Sequence, residues 1–301
     1  MGKRQTIFGT VMLAVSFSLV LLGLVADQIE AAVTPTFETT ATISASAAMS
    51  QEACSMASEF TGLVGIFAKN LRTGQVVTMN ADQVFAAAST IKIPVSIVVY
   101  RHFYKEADVG QRQVYDDGVE LMMTVSDNEY FADFLDEIEA RIGADTIRQH
   151  LSQLGMSNTR IRDIQSRQTY GYSNVTTARD MGLIFELLYQ GKMLSPEKTS
   201  LMTEALSHTI FRDELPRYMQ ERRVLHKIGE LDDVLADVGI VEGATGPVLI
   251  SVFTETPRES EYASDHIAAL SACLYSRLSG EKTSWEGESA AVVSPVLALT
   301  R

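Results

Sequence analysis

The chain has 301 residues, 46% of them hydrophobic, and its 38 acidic against 25 basic side chains leave a formal charge of −13. That is enough apolar material for one large domain or two modest ones. The acidity suits solubility and argues against a nucleic-acid partner, which needs a basic stripe to displace counterions from phosphate. The two cysteines form no Cys-x-x-Cys and the five histidines are scattered, so neither a zinc site nor another cofactor is expected.

Lys3 and Arg4 precede Ile7–Val25, an uncharged apolar run. Its length is nearer the ~20 residues of a spanning helix than the ~7–15 of a signal-peptide core, and only a poor cleavage site follows, near Ala31. Residues 1–32 therefore read as a signal anchor held in the membrane, with a cleaved signal peptide as the alternative. Both place the working domain outside the cytoplasm. Val33–Ser50, rich in Thr, Ser and Ala without an apolar period, reads as a linker. Residues 51–280 have ordinary single-domain size without internal repeats, a monomer is expected, and residues 281–301 read as a loose tail.

Within the domain, Ser50–Phe60 suggests a helix. Gly62–Asn70 and Gly74–Asn80 are two short strands split by the turn signal "LRTG". Helical patterns follow over Thr90–Tyr104, Asn128–Arg141, Ala144–Leu154 and Ala178–Gln190, the last opened by a capping box of Thr177 and Asp180. Another helix is predicted over Ser195–Leu206. The β character then returns in Arg223–Gly229, Val234–Gly243 and Pro247–Glu255, and Ser264–Gly280 closes the domain as a helix. This order predicts an α/β lobe built from both ends of the domain (about 51–100 and 195–280) and a helical lobe between them (about 101–194). A cleft between the lobes is the expected site.

Three short motifs carry chemistry. Ser89 and Lys92 sit at i and i+3 of a helix start, so the amine reaches the hydroxyl. A desolvated lysine with a lowered pKa can take the serine proton, and the free N–H groups of a helix start can hold an oxyanion. Ser126-Asp127-Asn128 opens the next helical stretch: Ser126 can relay a proton and Asn128 can hold an acyl amide. Lys227 adds positive charge, and Gly229 allows close approach along an edge strand. Each motif also has a plain structural reading: Ser89 as a helix cap, Ser126–Asn128 as a capping cluster, Lys227 as a solvated strand residue. A second Ser-x-x-Lys, Ser195 to Lys198, falls in a predicted helix away from the other motifs.

The order of the three motifs, together with "LMMTVSDNEYFADFLDEIEARIGADTIRQHLSQLGM", "NVTTARDMGLIFELLYQGKMLS" and "RDELPRYMQERRVLHKIG", resembles the class A β-lactamase and penicillin-binding serine hydrolase superfamily over nearly all of residues 51–280. The resemblance implies an antiparallel sheet of about five strands flanked by the terminal helices, plus a trimmed helical lobe. It makes Ser89 the acylated nucleophile, Lys92 its activating partner, Ser126 the proton shuttle and Asn128 a substrate ligand. Lys227 and Gly229 become the site edge, and the N–H groups of Ser89 and Glu230 the oxyanion hole. Its substrate is a small-molecule or cell-wall-derived acyl compound. The first and last helices pack side by side in such a fold, which leaves open a Cys54–Cys273 disulfide or two separate buried thiols.

The chain departs from that pattern in ways that bear on activity. The family's Glu-x-x-Leu-Asn loop has no glutamate here; ungapped from Thr159, the position is Gln165, which cannot accept a proton. Asp163 is the one nearby carboxylate. Ile228 replaces the threonine of Lys-Thr-Gly, and no Lys or Arg follows Lys227 until Arg258, while Glu230, Asp232, Asp233 and Asp237 do. The segment from Lys92 to Ser126 is short, so a more open cleft is expected. A serine hydrolase is predicted that acylates at Ser89 and deacylates slowly, on a substrate neutral or cationic at the rim. The alternatives are a penicillin-recognising sensor that does not hydrolyse and a D,D-peptidase-like cell-wall enzyme.

Overall fold

The computed structural model describes residues 59–285. The apolar run Ile7–Val25, the linker, Cys54 with its helix and the end of the tail lie outside the described residues.

Strand β1 (Leu63–Asn70) turns into β2 (Val76–Met79) through the predicted hairpin. The Asn70 side chain accepts from the N–H groups of Arg72 and Thr73, and Gly74 takes the positive φ of 76° that the turn demands. After the helical middle of the chain come β5 (Val224–Glu230), β6 (Val234–Val241) and β7 (Val248–Glu255). All pairings are antiparallel and the order is β2-β1-β7-β6-β5, so β1 from the beginning of the domain lies against β7 from its end. Every residue of β6 is buried, which is why it reads as a nearly continuous apolar run. Short strands β3 (Val84–Ala86) and β4 (Val175–Thr177) form a separate pair.

The sheet is covered on both faces. On one, α8 (Ser260–Ser279) packs its Ile267, Leu270 and Leu274 against Ile66, Ile250 and Val252. On the other, α6 (Ala178–Tyr189) lies across β1, β6 and β7, with Phe67, Leu249 and Phe253 beneath it. Thus α6, assigned by sequence to the helical lobe, packs on the sheet. Helix α1 (Lys92–His102) is buried from Lys92 to Tyr100, as befits a segment apolar all round. Around it stand α2 (Val109–Thr124), α3 (Glu129–Ile142) and α4 (Ala144–Gln153). Helix α5 (Ile164–Tyr170) sits in the connection to β4, and α7 (Pro196–Ser207) joins α2 to β5.

The sequence patterns missed α2, α5 and the β3–β4 pair. They also treated residues 281–285 as loose, whereas Glu281 accepts from the Thr245 N–H, the Tyr275 hydroxyl and Arg222. Cys273 is buried in α8; its pairing with Cys54 involves a residue outside the described ones.

The second Ser-x-x-Lys resolves as structure. Ser195 caps α7 by accepting from the Lys198 N–H, with Pro196 at the first helical position. The Lys198 ammonium is buried against Asp116 (2.7 and 2.8 Å) and the Tyr104 hydroxyl (2.7 Å), 3.9 Å from the centre of the Tyr104 ring. It ties α7 to α2 and to the end of α1. Lys198→Ala leaves the Asp116 carboxylate without its ion partner and is expected to cost about 3 kcal/mol, measured by urea denaturation.

Candidate active site

The site begins with strained backbone. From β3 the chain passes Ala87 and reaches Ala88 at φ 44°, then enters the 3-10 turn Ala88–Ile91 that leads into α1. Ser89 lies inside that turn, not at its cap: the N-cap position is Ala87 and no side chain caps it. The Ser89 N–H belongs to the first turn of a helical segment, where amides lack an intrahelical acceptor. Ser126, between α2 and α3, also has positive φ, 59°. Both are non-glycine residues in the left-handed region, a conformation that persists only where the surroundings impose it. At Ser126–Asn128 the two readings of the motif divide between its members. Asp127 does the capping, accepting from the Tyr130 N–H, and leaves Ser126 and Asn128 to face Lys92.

Lys92 is the hub. Its Nζ lies 2.7 Å from Ser89 Oγ, 2.9 Å from the Ser126 carbonyl, 3.1 Å from Ser126 Oγ and 2.7 Å from Asn128 Oδ1. Two of these neighbours, the carbonyl oxygens, can only accept; the hydroxyls can also donate. The ammonium donates to both carbonyls and to Ser89 Oγ; on losing one proton it can keep both carbonyl bonds and turn its lone pair to Ser89. Burial lowers the Lys92 pKa to about 8, partly offset by the charge of Asp127. The environment therefore brings the form that can take the serine proton within reach of neutral pH. Because Asn128 commits Oδ1 to Lys92, its Nδ2 is the group it can offer a ligand.

Lys227, on β5, places Nζ 2.9 Å from Ser126 Oγ and 2.9 Å from the Ile228 carbonyl. It is fully buried, and burial, then the neighbouring charge of Lys92, lowers its pKa to about 7. Ser126 thus stands between two amines. Gly229 faces the 3-10 turn: a Cβ there would lie 3.0 Å from Thr90 and 3.1 Å from Ala88. Its close approach is to protein, where the sequence suggested ligand. Leu231 and Val234 exchange both backbone bonds, so strand alternation turns the Glu230 N–H away from β6 toward the open sheet edge. The Glu230 carboxylate bonds Ser260 Oγ.

Ile228 points to the opposite face of β5, into the apolar cluster of Phe60 and Leu215. Across from it, Asp237 is buried on β6, binding His226 Nδ1 (2.9 and 3.0 Å) and the Leu215 N–H. His226 Nε2 meets the Phe211 carbonyl, so this pair clamps residues 211–215 against β5 and sets the Phe211 ring 5.9 Å from the Lys227 amine.

A cleft of about 420 Å³ opens above Ser89 and Lys92, lined also by Asn128, Phe131, Arg167, Tyr172 and Asn174. Gln165 is exposed and lines a different groove with Arg148 and Arg160. Asp163 caps α5 by accepting from the Ser166 N–H. The loop residues that reach the cleft are Arg167 and Gly171–Asn174, none of which carried a motif signal. Tyr172 crosses to the β5–β6 turn, donating to Asp233 (2.6 Å), and that bond pushes its hydroxyl up to about 12. Among the described residues no group of three or more ligating side chains could hold a metal ion.

The family model described as Beta-lactamase2, beta-lactamase enzyme family, matches residues 48–116 and 104–278. Solved structures similar to the chain include a β-lactamase from Sphaerobacter thermophilus (22% identity, 78% of this chain and 98% of that one, TM-score 0.66). PBP-A aligns at 22% identity over 78% of this chain and 97% of that one, TM-score 0.66. The TLA-1 extended-spectrum β-lactamase aligns at 14% over 78% and 99%, TM-score 0.68. These likenesses show a β-lactamase/transpeptidase-like fold. No curated protein matches the chain.

Two buried amines make the site costly to fold. A lysine that titrates near 7 when folded and at 10.5 when unfolded destabilises fully below about 7, and the cost fades as pH rises toward 10.5. For Lys227 the gross cost is about 5 kcal/mol; its hydrogen bonds return roughly 1 kcal/mol each. Lys227→Met is therefore expected to gain about 3 kcal/mol in urea denaturation at pH 6, and above about pH 10 the gain should give way to a small loss as only the missing hydrogen bonds count.

Proposed function

Because the chain belongs to the beta-lactamase enzyme family, we propose that it is a serine hydrolase that opens amide or ester bonds through an acyl-enzyme on Ser89 and releases the acyl group slowly. The observation that carries this reading is the 2.7 Å contact between Lys92 Nζ and Ser89 Oγ, made by a buried amine held between two carbonyl oxygens. In the proposed cycle Lys92 takes the Ser89 proton as Oγ attacks the carbonyl. The Ser89 and Glu230 N–H groups hold the oxyanion. Ser126, bonded to both lysines, delivers a proton to the leaving group as the tetrahedral intermediate collapses, and is reprotonated through them.

The second half-reaction lacks a carboxylate base, and Lys92 is the basic group left beside the acylated Ser89. Among the described residues Glu230 is the only carboxylate lining the cleft, and it is bonded to Ser260. Water entering the cleft therefore meets no free carboxylate to take its proton. Among the fold's neighbours, a variant of PBP-A is known as an acyl-enzyme complex with penicillin G. Exported on its N-terminal apolar segment, this chain would meet cell-wall-derived peptides as well as β-lactams, as a D,D-peptidase does. A sensor without acylation would have no physical need for two buried amines around Ser126.

Incubation with penicillin G, followed by intact mass measurement, is expected to give one adduct on the native protein that outlasts removal of free drug, and none on Ser89→Ala. A chromogenic cephalosporin should give a burst equal to the protein concentration. Sustained rapid turnover would refute slow release, and equal labelling of Ser89→Ala would remove Ser89 as nucleophile. Since Gln165 faces away from the cleft, Gln165→Glu is expected to leave the adduct lifetime within about two-fold. A ten-fold shorter lifetime would mean that the loop brings this position to the site.

A further inference from the structure

The four acids that follow Lys227 suggested a substrate neutral or cationic at the rim. The structure engages three of those charges and leaves Asp232 exposed on the β5–β6 turn. Glu230 is turned to Ser260, Asp233 is engaged by the Tyr172 hydroxyl, and Asp237 is buried with His226 and the Leu215 N–H. On the opposite wall stands a cation that the sequence did not single out. Arg167 lies in the last turn of α5 and lines the cleft with Ser89, Lys92 and Asn128. Its backbone is fixed: the N–H donates to the Asp163 carbonyl, and the carbonyl accepts from Gly171, whose φ of 85° ends the helix. Among the described residues its guanidinium has no ion-pair, hydrogen-bond or aromatic partner, although acids outnumber bases by thirteen in this chain. Arg162, on the same connection, holds both Asp136 and Glu139.

Asn174 shares this lining. Its Oδ1 accepts from the Arg162 N–H, and its carbonyl accepts from the Ala87 N–H, just before the Ser89 turn. The donor left to it is Nδ2. We infer that Arg167 and Asn174 Nδ2 form an anion subsite that receives a carboxylate on the acyl portion of the substrate. The acyl side follows from the lining: this part of the cleft includes Asn128 and Phe131, whereas Ser126 and Lys227, which serve the leaving group, do not line it. A planar guanidinium beside an amide donor matches the two oxygens of a carboxylate. The site's anchor for negative charge thus lies on the loop wall, while Ile228 and Asp237 are turned to the other face of the sheet. This inference rests on the proposed acylation at Ser89 for its place in catalysis, and its test is made independent of that chemistry.

Benzylpenicillin and its α-carboxylated analogue differ by one carboxylate on the acyl side. Their affinities are measured by calorimetry on the Ser89→Ala protein, where no acyl-enzyme can form. The carboxylated compound is expected to bind about ten-fold more tightly, and the preference should shrink with added salt. In Ser89→Ala/Arg167→Ala the preference should disappear; in Ser89→Ala/Arg167→Lys part of it should remain. Equal binding of the two compounds, binding of neither, or a preference that survives Arg167→Ala overturns the subsite. Loss of Ser89 labelling in the native protein with the preference intact would instead refute the acylation and leave the subsite standing.

Discussion

The site is organised by one interaction: the Lys92 amine held between two carbonyl oxygens, those of Ser126 and the Asn128 side chain, with its remaining valence toward Ser89. Nearly everything around it serves to keep that nitrogen dry and in place. Helix α1 carries it into the core, the left-handed backbone at Ala88 turns Ser89 toward it, and the left-handed backbone at Ser126 supplies the carbonyl. Lys227 completes the arrangement from the sheet side by bonding Ser126 Oγ, so helical and sheet elements meet at one hydroxyl. Burial is the physical reason that both titrate well below an ordinary lysine, and at Lys227 the neighbouring charge of Lys92 adds to it. The fold tolerates this because β6 and β7 are buried on both faces and α1 is buried over nine residues.

The parts of this design legible in the sequence are those with a short-range signature. Alternation and apolar runs gave the strands, Thr177–Asp180 gave the start of α6, and the ordered Ser-x-x-Lys, Ser-Asp-Asn and His-Lys-Ile-Gly segments gave the residues that converge on Lys92. Helix α2 was hidden because Asp116-Asp117-Gly118 reads as a turn. Gly118 is in fact there for packing, since a Cβ would lie 2.5 Å from the rings of Tyr130 and Phe134. Arg167 was hidden for another reason: a lone arginine in a polar loop has no pattern, and only the fold decides which wall it lines. Ungapped alignment drew attention to Gln165, but α5 turns that side chain outward and Arg167 inward. Ile228 and Asp237 looked like two separate losses. In the structure they are opposite each other on β5 and β6 and are absorbed into an apolar cluster and a buried histidine–carboxylate pair.

Charge follows the same logic at larger scale. The chain is strongly acidic overall, yet the amines at the site are deeply placed: Lys92 and Lys227 are among the largest fully buried side chains. Glu230, Asp233 and Asp237 are tied to hydroxyl, histidine and amide partners, which leaves the positive charge at the loop wall to act on a ligand. On the proposed reading, such an arrangement would favour an anionic acyl donor and stabilise an oxyanion, while offering no free carboxylate for the water that would remove the acyl group.

The central claim is that Ser89 is activated by a neutral Lys92, and the rate of the first acylation as a function of pH tests it most directly. With acylation followed by stopped-flow from about pH 6 to about pH 10, the rate should rise with pH through an apparent ionisation near 8 and then level, as Lys92 loses its proton. A rate that is flat across that range, or that falls as pH passes 8, would contradict the account.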